Sequence, residues 1–321
     1  GYHGTSLDGL EGCENLEELS INGAPNLSDL SSLSGLTRLT NLTVEGLFED
    51  LDALSHLKNL KELYVNSVPQ LKDVSALKTC VGLRELQFYS APSVGSLWGL
   101  DKLTSLRRFG IHDTLEGGRL DISPICKLPN LEWLNIQGGR RLEGLRGIGA
   151  LTNLEWLGLD LNGSVLPDLS FAAEMRWLQG LELLGCTNLL SLKGIEHLSS
   201  LENLTIVANE GGNAHIEVIP EMTRLVKLTS LGLRFFPYLE DVSAIGEAQN
   251  LESLDLEGGE SIHDVSFIDD LELTGLDLSE CNALDQDDLS CIDEDDFDWI
   301  ILPEEEDHDP DGALKPVPWG E

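Results

Sequence analysis

The sequence is short of positive charge, methionine and tyrosine, and it lacks any long apolar run. Lysine and arginine supply 20 of 321 residues against 57 aspartates and glutamates, so the net charge is −37. Such a chain and a phosphate backbone repel each other, which excludes nucleic-acid binding and attraction to anionic membranes. No window of about 18 apolar residues is present, so we expect no membrane insertion.

Signatures of catalysis and of metal chemistry are also missing. The chain has no H-E-x-x-H, G-x-S-x-G or P-loop sequence, so we expect neither an enzyme nor a bound cofactor. Its six cysteines are far apart and form no C-x-x-C pair, which argues against structural zinc and indicates buried small side chains. A single disulfide between Cys281 and Cys291 stays open.

Leucine is the abundant residue, with 64 copies in 321 positions, and this skew indicates a repeated unit. The pattern L-x-x-L-x-(L/I/V/F) recurs twelve times at spacings of 21 to 27 residues. Its copies begin at Leu16, Leu39, Leu60, Leu83, Leu106, Leu131, Leu154, Leu178, Leu201, Leu228, Leu251 and Leu273. One unit cannot bury its aliphatic residues alone, so the units must stack.

The second half of several units carries Asp, an aliphatic residue and Ser, as in QLKDVSAL (70–77) and IHDVSFI (262–268). Together these patterns resemble leucine-rich-repeat proteins. The match is to the short-repeat class of bacterial internalins and phosphatase regulatory subunits, with some cysteine-containing repeats. Most units lack the family's usual Asn after the strand, so another side-chain ladder must satisfy the turn backbone.

The resemblance implies an α/β fold, a curved solenoid of about twelve repeats. We expect a parallel sheet on its concave face and short helical or irregular segments, capped by Asp or Ser, on its convex face. The division predicted is a partial N-terminal cap (1–15), the solenoid (16–284), a C-terminal cap (285–302) and an acidic tail (303–321). In the C-terminal cap, five apolar residues are expected to cover the core: Phe297, Trp299, Ile300, Ile301 and Leu302.

Strand residues between the leucines should point to the concave face. In the middle of that face, aromatic side chains stand among polar ones, a composition typical of protein-binding hot spots. We predict a partner-binding patch of Tyr64, Tyr89, Arg108, His112, Trp133, Asn135, Gln137, Trp156 and Asp160. Gly110 and Gly158 are expected to leave room beside the tryptophans. The alternative is that Trp133 and Trp156 stack on each other and serve stability only.

Two further groups are weaker candidates. One is Arg234, Phe235, Phe236 and Tyr238, which we interpret mainly as a loop packing its own aromatics. The other is the calcium-loop opening D-x-D-x-D-G formed by Asp307, Asp309 and Asp311. Its twelfth position is Pro318 instead of a bidentate glutamate, so no metal site is predicted.

The function expected is non-enzymatic recognition of a protein on the concave face. The alternative is an acidic inhibitor or immunity-type protein that neutralises a basic enzyme, because residues 235–321 hold 28 acids and a single base. A homodimer through the concave face stays open. The sequence also leaves open whether the chain is cytoplasmic, or secreted or surface-bound after removal of an upstream segment.

Overall fold

The computed structural model describes residues 3–112, 118–139, 141–209 and 214–303. Within them, thirteen strands form one parallel sheet in which strands from successive repeats lie side by side. In chain order all strands are β1 (Glu18–Ile21), β2 (Asn41–Glu45), β3 (Glu62–Asn66), β4 (Glu85–Tyr89), β5 (Arg108–His112), β6 (Arg119–Asp121), β7 (Trp133–Gln137), β8 (Arg141–Glu143), β9 (Trp156–Asp160), β10 (Gly180–Leu184), β11 (Asn203–Val207), β12 (Ser230–Arg234), β13 (Ser253–Asp255), β14 (Gly275–Asp277) and β15 (Trp299–Ile301).

Strands β6 and β8 form a separate two-stranded parallel sheet outside the main one. Short 3-10 helices lie on the return path of the units, as the aspartate–serine segments predict. They are Ser31–Gly35, Asp52–His56, Ser75–Thr79, Leu100–Lys102, Ile125–Lys127, Leu145–Ala150, Ser170–Glu174, Ile195–His197, Ser243–Glu247, Ser266–Asp270, Asp288–Cys291 and Glu294–Asp296. The leucine-rich-repeat solenoid predicted from the sequence is therefore confirmed.

The repeat period places the core. In each unit the aliphatic residues of the strand and of the 3-10 segment turn inward and meet the equivalent residues of the neighbouring units, as Leu63, Leu86 and Phe109 do. Phe88 and Phe109 pack edge to face at 6.3 Å between ring centroids. The result is one continuous core along the solenoid, in which each unit is stabilised by the units beside it.

Two side-chain ladders take the place of the missing asparagine. The aspartate before each serine segment accepts from the backbone N–H two residues on, as Asp73 does from Ser75 at 2.7 Å and Asp264 from Ser266 at 2.9 Å. On the other turn, asparagine side chains donate to a carbonyl of the preceding unit, as Asn153 does to Pro129 at 2.7 Å. These bonds satisfy turn backbone that neither sheet reaches.

The C-terminal end differs from the prediction that five apolar residues cover the core. Trp299–Ile301 is a thirteenth strand paired with β14, so its side chains alternate between the two faces. Phe297, Ile300 and Leu302 pack against the core, whereas Trp299 and Ile301 are exposed. Residues 297–302 thus follow the repeat pattern with Phe in the first leucine position. Most of the predicted tail lies outside the described residues.

The cysteines behave as small core residues. Cys80, Cys126, Cys186 and Cys281 are buried free thiols, and burial raises the pKa of each, to about 11 for Cys80 and about 12 for Cys281. The Cys281 thiol donates to the carbonyl of Leu256 at 3.2 Å, so the disulfide that the sequence left open at Cys281 is not formed.

Candidate functional site

The residues predicted to bind a partner lie on the sheet face of the solenoid, on strands β3 to β9. Register brings them together: Tyr89 is paired with His112 on the next strand, and Arg108 with Trp133, which is paired in turn with Trp156. We call the nine predicted residues the central concave patch: Tyr64, Tyr89, Arg108, His112, Trp133, Asn135, Gln137, Trp156 and Asp160.

A continuous set of ring contacts crosses three strands of the patch. Tyr89, which is 41% exposed, stacks on His112 with 4.8 Å between ring centroids and 14° between planes. His112 lies 6.0 Å from the Trp133 ring, and the guanidinium of Arg108 stands 5.0 Å above that ring. Because each side chain is held by the next, the surface is ordered before any partner arrives.

Glu85 holds the opposite side of this cluster. Its carboxylate pairs with Arg108 at 3.5 Å and accepts from the Gln87 amide at 3.3 Å. The Tyr64 phenol also donates to it. Burial, together with the charge and hydrogen bond of Glu85, raises the pKa of Tyr64 to about 12. Tyr64 is therefore tied into the patch as a hydrogen-bonded, partly buried member.

The two glycines do not leave open space, contrary to the expectation from sequence. A Cβ at Gly110 would clash with the side chains of Gln87 and His112, which are hydrogen-bonded to each other at 3.1 Å. A Cβ at Gly158 would come within 2.6 Å of the Asn135 amide oxygen. The neighbouring side chains lie over both glycines, since a strand glycine lets another group approach the backbone closely.

Trp133 and Trp156 do not stack on each other, although their strands pair them directly. Trp133 leans toward Gly110 on β5, whereas Trp156 lies over Gly180 on β10, where an added Cβ would clash with its ring. The rings therefore diverge along the sheet. Beside them opens a trough of about 210 Å³, lined by Arg108, Glu132, Trp133, Glu155, Trp156, Gln179, Gly180, Glu202 and Asn203.

Two residues of the central concave patch, Asp160 and Asn135, are also part of the folded structure beneath the surface. The Asp160 carboxylate accepts from the Gly139 N–H at 2.6 Å and from the Asn162 side chain at 2.8 Å, so it fastens the turns after β7 and β9. Asn135 is 8% exposed, and its amide oxygen has no hydrogen-bond partner. Such a buried acceptor is costly, and the packing of Trp133 and its neighbours must offset that cost.

The second aromatic group packs against residues outside itself, whereas the interpretation from sequence was a loop packing its own aromatics. Phe236 is buried in the core, and Tyr238 stacks on His215 at 4.0 Å between ring centroids. Arg234 binds the Asp255 carboxylate, with Nε at 2.5 Å from Oδ2. Tyr238 is 41% exposed, as Tyr89 is in the central concave patch.

Sequence reasoning missed Trp299, which lies on the same sheet face at the far end of the solenoid and is 45% exposed. It lies over Gly275 as Trp156 lies over Gly180. The signal that could have found it is the repeat itself: F-D-W-I-I-L at 297–302 matches the strand pattern with Phe for the first Leu.

In the part of the chain that the structure describes, no group of three or more His, Cys, Asp or Glu side chains is placed to hold a metal ion. The weak calcium candidates Asp307, Asp309 and Asp311 lie outside the described residues. No helix in the described ranges is long and apolar enough to span a membrane.

No family model matches the sequence, and no curated protein is similar to it by sequence. Among solved structures, an internalin of Listeria monocytogenes, InlF, is 26% identical with a TM-score of 0.71, over 91% of this chain and 84% of that one. A Leptospira interrogans leucine-rich-repeat protein is 18% identical with a TM-score of 0.62, over 83% of this chain and 72% of that one.

The chain is therefore a leucine-rich-repeat protein. Among the solved structures it resembles the Listeria internalins, of which InlF is one. The fold is shared more widely. A plant peptide hormone receptor, RGFR1 in complex with RGF2, has a TM-score of 0.52 at 15% identity, over 86% of this chain and 51% of that one. Solenoids of this fold are typically scaffolds for protein binding.

Proposed function

We propose that this chain is a non-enzymatic protein-recognition module that holds a partner protein against the central concave patch. The observation that carries the proposal is the contiguous, pre-packed cluster of Tyr89, His112, Trp133 and Arg108 on the sheet face. Aromatic side chains ringed by polar groups and fixed before binding lose little conformational entropy on association, which is the property of binding hot spots.

The test is affinity capture from a lysate of the organism from which the chain comes. The double variant Trp133→Ala/Trp156→Ala is compared with the wild type as bait. The matched control is Trp98→Ala/Trp177→Ala, which removes two tryptophans that are 64% and 65% exposed but lie outside the strands. We expect the partner to be lost with the first pair and kept with the control. Equal capture by all three baits, with folding checked by circular dichroism, would refute the proposal.

Salt separates this proposal from the acidic-inhibitor alternative. That alternative rests on the acidic composition of residues 235–321. Near the C-terminal end of the sheet, Asp255 and Glu257 are ion-paired with Arg234, and Asp277 lies beside Asp255 on the next strand. Burial, with these neighbouring acids, raises the pKa of Glu257 against the lowering effect of Arg234. At about 0.5 M NaCl, binding that includes the aromatic rings should weaken only partly, whereas binding through the C-terminal carboxylates alone should collapse because screening then acts within a few ångströms.

The sequence also left open a homodimer, in which a second copy of the chain would bind to the central concave patch. Sedimentation velocity of the wild type and of Trp133→Ala/Trp156→Ala distinguishes it from a different protein. A dimer that the double variant abolishes would make the patch a self-association surface. A monomer at all concentrations tested leaves the patch to a different partner.

A further inference from the structure

The trough beside Trp133 and Trp156 has a chemistry of its own. Carboxylates stand along one side of it, on the residues that immediately precede β7, β9 and β11. Glu132 is ion-paired with Arg107. Glu155 and Glu202 form no ion pair with any residue that the structure describes. These two carboxylates stand two strands apart, because β10 lies between β9 and β11 and the uncharged Gln179 precedes β10.

This row of residues changes sign at the patch. Glu17 precedes β1 and Thr40 precedes β2, whereas Lys61, Arg84 and Arg107 precede β3, β4 and β5. From Glu132, on the next strand of the sheet, the charged residues of the row are acidic. The Arg107–Glu132 ion pair forms the seam between the basic and the acidic part. A partner lying along the row therefore meets positive charge on the N-terminal side of Trp133 and negative charge on the C-terminal side.

The indole rings add a second attraction for a cation. Trp133 already carries the Arg108 guanidinium at 5.0 Å, which shows that cation–π contact suits this surface. The Trp156 ring has no cation above it in the described part of the chain. A side chain that fits the trough beside Trp156 thus meets an aromatic ring and two unpaired carboxylates, Glu155 and Glu202, at once.

We propose that the trough binds a lysine or arginine side chain of the partner, which anchors it beside Trp156 with its charge between Glu155 and Glu202. This inference rests on the proposed function and names the chemistry of its anchor. The aliphatic stem packs on the indole while the charged end reaches the carboxylates. The wider field favours the same ligand, since residues 147–321 hold 38 acids and 6 bases and attract a basic surface from a distance.

The experiment titrates ¹⁵N-labelled protein with the Nα-acetyl methylamides of lysine and arginine and follows the tryptophan indole N–H signals by NMR. The norleucine derivative has a similar aliphatic stem without charge and serves as the control ligand. Glu155→Gln/Glu202→Gln removes both charges at constant shape. Glu221→Gln/Glu240→Gln is the matched control, because both side chains are exposed and lie outside the trough.

We expect the two cations to shift the Trp156 signal with millimolar dissociation constants, and norleucine to bind about tenfold more weakly. Glu155→Gln/Glu202→Gln should weaken the cations at least about fivefold, and the control pair should leave them unchanged. Equal binding of norleucine, an unchanged affinity in the trough variant, or no shift of the Trp156 signal would each overturn the proposal.

The same variants keep this inference separable from the proposed function. If Trp133→Ala/Trp156→Ala loses the partner in the capture experiment while Glu155→Gln/Glu202→Gln keeps it fully, the patch still binds but the basic anchor is wrong. If the glutamine variant also loses the partner, the basic anchor is supported. If the tryptophan variant keeps the partner, the proposed function itself fails.

Discussion

At the scale of single residues, glycine on one strand decides where an aromatic ring on the next strand comes to rest. Trp156 lies over Gly180 and Trp299 over Gly275, in both cases where a Cβ would clash with the ring. The backbone at a glycine offers a flat surface on which the indole ring can lie, and the ring shields the peptide groups of that backbone from water. The direction in which Trp156 leans, and with it the shape of the trough, therefore depends on a residue that has no side chain.

We expect Gly180→Ala to push the Trp156 ring off the sheet. The added methyl group occupies the position of the ring, and overpacking beneath the half-buried Trp156 side chain should lower the free energy of unfolding by about 1 kcal/mol. Tryptophan fluorescence should shift to the red and partner capture should weaken. Gly35→Ala is the control, since nothing lies within 4 Å of its added Cβ. An unchanged emission spectrum in Gly180→Ala would contradict this account.

At the scale of the repeat element, aspartate caps hold the start of the 3-10 segments. Asp241 accepts from the Ser243 hydroxyl at 2.6 Å and from its N–H at 3.1 Å, and these two bonds lower the pKa of the Asp241 carboxyl. The same pair of bonds lowers the pKa of Asp168 through Ser170. Asp thus has the same function in several units, which is why the sequence motif D-x-S repeats.

Asp241→Ala removes one cap and should lower the free energy of unfolding by about 1 kcal/mol at pH 7. Chemical denaturation measures this difference. The folded-state pKa lies below the unfolded value, so this stabilisation is present above the unfolded pKa of about 4 and disappears as the pH falls through the folded value. The difference between wild type and variant should therefore shrink from pH 5 towards pH 2.5. A difference that is constant with pH would refute the assignment of Asp241 as a cap. Asp270→Ala is the control, because Asp270 is exposed and does not precede a serine segment.

At the scale of the whole molecule, charge is distributed very unevenly over a uniform core. Residues 58–146 hold 13 of the 20 bases, whereas residues 235–321 hold 28 acids and one base. Because each unit contacts only its neighbours, repulsion in the acidic region weakens that region locally. Seven of the nine residues of the central concave patch lie within residues 58–146, and none lies in the acidic C-terminal region.

Salt should therefore stabilise the protein by screening repulsion among the C-terminal acids. We expect the melting temperature to rise between about 0.05 and 1 M NaCl. A variant with four exposed acids neutralised should melt higher at low salt and respond less to added salt: Glu252→Gln, Glu260→Gln, Asp269→Asn and Glu272→Gln. A melting temperature that falls with salt, or an equal response in the variant, would contradict this view.

The leucine period by itself determined the fold, the concave columns and the neighbours of each strand. Tyr89 and His112 could be placed side by side from sequence because each directly follows the last residue of its L-x-x-L-x-(L/I/V/F) pattern, and the parallel register preserves that position. The aspartate caps were also readable, since the motif is local. Local hydrogen bonds and a strict period need no knowledge of distant contacts.

Only the tertiary structure decided how side chains lie on that frame. Sequence placed Gly110 beside Trp133 but could not show that Gln87 and His112 close over the glycine. It placed Trp133 next to Trp156 but not the opposite lean of their rings. A period fixes the Cα and Cβ positions, whereas a rotamer depends on the packing of all neighbours at once. The trough and its two unpaired carboxylates follow from those rotamers.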